Sequence, residues 1–116
     1  MNNLVNRVTL IGNLGIDVET RELGNGTKVA KTRIATNESY TKDGNKVEKT
    51  EWHNLVAWGK TADLLARLCS KGSKVAVQGK LTNRSWEDKN GQKRYISEIV
   101  IDEFYVISGK KEAVPV

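Results

Sequence analysis

The side chains of this sequence that most invite a chemical reading are three tryptophans and one tyrosine: Trp52, Trp58, Trp86 and Tyr40. Trp52 and Trp58 lie in residues 50–60, a run rich in aromatic and β-branched residues that ends at Gly59-Lys60, the pattern of a strand. Successive strand side chains point to opposite faces, so Trp52, Asn54, Val56 and Trp58 share one face and His53, Leu55 and Ala57 the other. Leu55 and Ala57 suit a core. The two indoles are then left facing solvent or a partner, and a soluble protein seldom exposes such rings without a use for them.

Catalysis has little to work with. His53 is the sole histidine and Cys69 the sole cysteine, so neither a His/Cys metal cluster nor an internal disulfide can be built. A chain of this cysteine content suits the reducing cytoplasm. Glu87 and Asp88 are adjacent carboxylates of the kind that could hold a metal for a nuclease, but they fall at the strong turn Asp88-Lys89-Asn90-Gly91 and read as solvated. No Walker-type phosphate loop occurs. The expectation is a protein that is not an enzyme and needs no cofactor and no metal. No apolar run reaches the roughly 18 residues of a membrane helix, and residues 1–5 lack the features of a signal peptide, so no membrane role is expected.

The charge points to a polyanion. Nineteen Lys and Arg against fourteen Asp and Glu give a net charge of +5 and a pI near 9.4. The excess is concentrated, because residues 60–94 carry nine basic side chains against Asp63, Glu87 and Asp88. Tyr40 and Trp86 stand at strand ends beside the polar stretches 41–49 and 87–92, and Lys42, Lys46, Lys49, Arg84, Lys89, Lys93 and Arg94 crowd there. Aromatic platforms in a basic groove are what binding to single strands requires, since bases stack on rings while Lys and Arg follow the phosphates. Stacking is worth about 1–3 kcal/mol per base, so four platforms supply on the order of 4–12 kcal/mol before costs. Phosphate contacts fade with salt, at a slope of roughly −0.7 per neutralised charge.

Residues 7–12 form a short strand, 17–21 a brief extended piece, and Gly24-Asn25-Gly26 a tight turn into a longer strand over 27–40. Val29, Lys31, Arg33 and Ala35 share one side of that strand, and Ala30, Thr32, Ile34 and Thr36 the other. Residues 41–49 join it as a hairpin to the double-Trp strand. Residues 61–70 are the one helix, with Ala62, Leu65, Ala66 and Cys69 on an apolar stripe, Thr61 as N-cap and Gly72 as stop. Two strands follow over 75–86 and 95–107, with Val75, Val77, Gly79 and Leu81, then Ile99, Ile101 and Ile107, alternating inward. Tyr95, Phe104, Tyr105 and Cys69 read as core packing. Three strands, one helix and two strands match an all-β fold: the five-stranded Greek-key barrel of the oligonucleotide-binding (OB-fold) kind, with its helix between strands 3 and 4. An SH3-like barrel would not hold a ten-residue helix there. Residues 1–108 are expected to form this domain and 109–116 a flexible tail.

Several ordered motifs carry a resemblance. The opening Val5-Asn6-Arg7-Val8-Thr9-Leu10-Ile11-Gly12-Asn13-Leu14-Gly15, the central Thr50-Glu51-Trp52-His53 through Trp58-Gly59-Lys60, and the later Lys71-Gly72-Ser73, Gly79-Lys80-Leu81, Arg84-Ser85-Trp86, Gly91 and Arg94-Tyr95 resemble bacterial-type single-stranded DNA-binding proteins over residues 4–107. The resemblance implies base stacking at Tyr40, Trp52, Trp58 and Trp86 and phosphate contacts at Lys60, Lys71 and Arg84. Lys42 and Lys49, from the basic stretch beside Tyr40, join that phosphate set. It also implies a homotetramer, with His53 and the N-terminal strand, including Val5 and Asn6, at the subunit interface. Members of the family usually continue to an acidic tip that recruits replication and repair proteins. The sequence given ends at Glu112-Ala113-Val114-Pro115-Val116 without one, so such partners are expected only of a form carrying that tip. The expected function is sequence-independent coating of single-stranded DNA in replication, recombination and repair, in the cytoplasm with the nucleoid. The alternatives are a primosome-type restart protein or an RNA chaperone of the same fold, and, in another class, a small nuclease.

If stacking outweighs charge, Trp52→Ala weakens binding to oligo-dT at moderate salt by about 1–3 kcal/mol, whereas Lys89→Ala costs far less. Fluorescence titration of the two variants side by side measures the difference, and equal losses contradict the stacking argument.

Overall fold

Runs of β-branched and aromatic residues separated by Gly, Asn and Asp turns become long paired strands in the computed structural model, which describes residues 4–108. The strands are β1 (Val8–Leu14), β2 (Glu19–Glu22), β3 (Lys28–Lys42) and β4 (Asn45–Trp58); the helix α1 (Gly59–Leu68) precedes β5 (Lys74–Glu87) and β6 (Lys93–Ser108). They pair in the order β1-β5-β6-β4-β3-β2, and Asn13 and Leu14 of β1 return to Ala35 and Ile34 of β3. That last pairing closes five strands into a barrel. β2 pairs with β3 alone and lies outside the ring as a flap. β4 and β6 run parallel at Asn54–Glu98, Leu55–Ile99 and Val56–Val100, the Greek-key crossing of the expected OB-fold.

Leu14, Ala30, Ile34, Leu55, Ala57, Val75, Val77, Ile99 and Ile101 line the interior, and α1 packs Ala62 and Leu65 against it. The neighbouring Cys69 is buried there too, as its place on the apolar stripe predicts. Two glycines let the walls meet. A Cβ on Gly12 would collide with the Ala35 carbonyl, and one on Gly79 with the Val100 carbonyl.

Several boundaries differ from the sequence expectation, each for a physical reason. The connection expected over 41–49 is two residues long. Asp43 and Gly44 both adopt positive φ, at 51° and 80°, the Asp-Gly turn that matches strand twist, so the ladder runs out to Lys42–Asn45. The helix starts at Gly59, whose φ of 60° swings the chain from strand into helix, and Trp58 rather than Thr61 occupies the N-cap position. It ends at Leu68. Gly72 serves the next turn instead, where its N–H donates to the Leu14 carbonyl at 2.8 Å.

On β6 the register slips between Gln78 and Gly79 of the partner strand, so two residues face one around Asp102. Past that bulge the inward and outward positions exchange. Phe104 and Val106 therefore pack on the core, while Tyr105 and Ile107, both expected inside, stand exposed. Tyr95 and Leu81, also expected inside, are exposed: Tyr95 lies where β5 and β6 run on past the barrel, and Leu81 lies beyond Gly79, where the β1–β5 ladder ends. The Asp88 turn closes that ribbon: its carboxylate accepts the N–H groups of Asn90 and Gln92 and the Arg94 Nε–H, each at 2.9 Å. These bonds, that of Gln92 foremost, hold the Asp88 carboxyl below its ordinary pKa. The tail expected over 109–116 lies outside the described residues.

Closure at Gly12 sets a stability test. Gly12→Ala is expected to cost about 1–3 kcal/mol because backbone has to move, whereas Gly24→Ala, in open space, stays within about 0.5 kcal/mol. The shift in urea midpoint measures both.

Candidate nucleic-acid interface

Register carries the site across strands. Residues directly opposite in a ladder share a face, so the pairs Val29–Trp58, Lys31–Val56, Arg33–Asn54 and Ala35–Trp52 put Trp52, Trp58, Lys31 and Arg33 on one outer face of β3 and β4. Arg21 of the flap stands opposite Val29 and joins them. On the other side, Asn54 faces Glu98 of β6, and the β5–β6 ladder continues through Thr82–Glu98, Arg84–Ile96 and Trp86–Arg94. The result is one outer face holding three indoles interleaved with Arg21, Lys31, Arg33, Arg84 and Arg94.

The rings are uncovered: Trp52 is 56% exposed, Trp58 46%, Trp86 45% and Tyr40 49%. Trp52 packs so closely on Gly15 that a Cβ there would collide with its six-membered ring, so Gly15 is the seat of that indole. Val29, Ala35 and Val56 floor the face beside Trp52 and Trp58 and are themselves buried. Arg84 stands with its guanidinium carbon 5.6 Å from the Trp86 ring centroid.

Tyr40 is not brought to this face. It pairs with Val47, one strand position out of phase with Trp52, so it occupies the reverse of the β3–β4 ribbon where that ribbon overshoots the barrel. Lys42 and Lys49 share that reverse side by the same alternation. Lys49 is held by Glu51 at 3.1 Å. Lys60 is exposed on the first turn of α1, and Lys71 is exposed in the turn before β5, its backbone N–H bonded to the Asp17 carboxylate at 2.8 Å. Arg84 is not a free cation: its Nε and Nη2 donate to the two Glu98 oxygens at 2.7 and 3.3 Å. That hydrogen bond and the adjacent negative charge raise the Arg84 pKa further above its ordinary value.

Sequence reasoning missed Lys31, Arg33, Arg21 and Glu98. Alternation put Lys31 and Arg33 on one side of their strand, but only the register with β4 reveals that this side carries the tryptophans. Among the described residues neither Lys31 nor Arg33 forms an ion pair, so both charges are available to an anion. Of the residues expected between subunits, Val5 is exposed, whereas the Asn6 amide clamps the backbone N–H and carbonyl of Leu81 at 3.0 and 2.9 Å within its own chain. His53 is half-buried, its Nε2 3.0 Å from the Thr36 hydroxyl. No group of three or more His, Cys, Asp and Glu among the described residues is placed to hold a metal ion.

Comparison with known proteins agrees with this geometry. The model of the single-strand binding protein family matches residues 5–107. A protein of Chlorobaculum tepidum named single-stranded DNA-binding protein 1 is 44% identical over 108 residues, covering 91% of this chain and 67% of that one. A protein of the same name from Xylella fastidiosa is 43% identical over 110 residues, covering 93% and 80%. The solved structure titled Plasmodium falciparum SSB complex with ssDNA superposes with a TM-score of 0.81 at 32% identity, over 96% of this chain and all of that one. By sequence over nearly its whole length and by fold, the chain belongs to the single-strand binding protein family.

Proposed function

We propose that this protein binds single-stranded DNA with little regard to sequence, coating and protecting exposed strands during replication, recombination and repair. The observation that carries the reading is the outer face on which Trp52 and Trp58 stand uncovered to either side of Lys31 and Arg33, with Trp86 exposed on the same face. Every base has a π-face, so stacking accepts any sequence, while the cations track the phosphates. Duplex DNA keeps its bases stacked on one another and offers the rings nothing. A coated strand is thereby kept from reannealing and from nucleases. Lys60, Lys71 and Arg84 are proposed phosphate contacts at the margins of the face. Tyr40, Lys42 and Lys49 would meet DNA that turns around the β3–β4 ribbon. No helix among the described residues is long and apolar enough to cross a membrane. The proposed site of action is the cytoplasm, with the nucleoid.

Titration with oligo-dT is the direct test. Tryptophan emission is expected to be quenched by the single strand and left unchanged by the matching duplex. The double substitution of Lys31 and Arg33 by Ala is expected to reduce the salt slope by about 1.4, two phosphates' worth. An unchanged slope would place the backbone elsewhere.

Assembly as a homotetramer is part of the proposal. β1 pairs with β3 only at Asn13 and Leu14, which leaves the edge of residues 8–12 open beside the exposed Val5. Such an edge is a template for another chain. His53, half-buried near the rim, is the further proposed contact. Light scattering is expected to give the mass of four chains; two chains would favour a restart-type dimer, and a preference for oligo-U over oligo-dT an RNA chaperone. Replication and repair proteins are proposed as partners only for a form bearing an acidic tip.

A further inference from the structure

A carboxylate on a face meant for a polyanion needs a reason. Glu98 is 7% exposed, sits opposite Asn54 on the tryptophan face, and directs both oxygens at Arg84. Arg84, half-exposed, then lies over Trp86. A single-point salt bridge would let the guanidinium swing. Two parallel bonds to a buried carboxylate fix its plane and its position.

We propose that Glu98 is a positioning residue for DNA binding: it touches no DNA, but holds the Arg84 guanidinium against the Trp86 ring so that the indole is presented in one orientation to an incoming base. The inference rests on the stacking role assigned to Trp86. A guanidinium parked on the ring also strengthens it as a platform, since cation and π-face attract. Released from Glu98, Arg84 would sweep over the ring and compete with the base for the same surface.

The sign of the effect separates this from plain electrostatics. Removing a negative charge from the face should tighten DNA binding if charge alone matters. Glu19, opposite Lys31 on the same face, serves as the reference, and Glu19→Gln is expected to tighten binding. Glu98→Gln keeps the volume but turns one acceptor into a donor facing Nη2. It is expected to weaken oligo-dT binding about two- to fivefold despite the lost negative charge, the span of an exposed cation–π contact. In a Trp86→Ala background the same substitution should no longer weaken binding and should tighten it as Glu19→Gln does. Arg84→Lys keeps a cation but cannot make the two-pronged bond. It should weaken binding in the native background only, and it carries the test should Glu98→Gln fail to fold. Tightening by Glu98→Gln in the native background, or equal weakening in both, would overturn the proposal. Native affinity in Trp86→Ala itself would overturn the stacking reading and this inference with it.

Discussion

A strand has two faces, and β4 needs both. Leu55 and Ala57 fill the barrel while Trp52 and Trp58, one position out of phase, stand outside. Sliding β4 by a single residue would exchange the faces, exposing Leu55 and driving two indoles into an interior that has no room for them. Burial of a Leu-sized side chain is worth about 1.5–3 kcal/mol, and β4 is locked on both sides, antiparallel to β3 and parallel to β6. The apolar core therefore does more than stabilise the fold. It sets the register that keeps the rings in solvent.

The same constraint explains how charge and aromatic surface come to be interleaved. Lys31 and Arg33 belong to β3, Trp52 and Trp58 to β4, Arg84 and Trp86 to β5. They share a face only because each strand's inward residues are fixed by the common interior. Barrel closure adds a second requirement, since β1 must approach β3 at Ala35 and β6 must approach β5 at Gly79 more closely than any side chain permits. Gly15 repeats the device on the outside, where the missing side chain leaves a seat for the Trp52 ring.

Much of this was legible in the residues. The five barrel strands, the single helix with its Ala62-Leu65-Cys69 stripe and the exposure of Trp52 and Trp58 follow from period-two and period-3.6 patterns, which are local. What was not legible is non-local. The bulge around Asp102 depends on how β6 meets β5, and it alone decides that Tyr105 faces out and Phe104 in. Tyr40 and Tyr95 follow the inward phase of their strands, yet their strands outrun the barrel, and no pattern within a strand says where its neighbours stop. Arg84 and Glu98 are fourteen positions apart, and nothing in either segment announces that they meet.

Glu98 shows why a binding face is not simply the sum of its favourable charges. Among the described residues it is the only buried carboxylate, and a buried charge left unpaired is costly, so Arg84 cannot leave it freely to follow a phosphate. Arg84 therefore gives up reach and gains a fixed place beside Trp86. Lys31 and Arg33, with no such tether, keep their reach. The face thus divides its cations into a tethered one, which meets a phosphate only where it stands, and free ones such as Lys31 and Arg33, whose proposed role is to follow the DNA backbone. Stacking, at about 1–3 kcal/mol per base, is the larger contribution to hold in place.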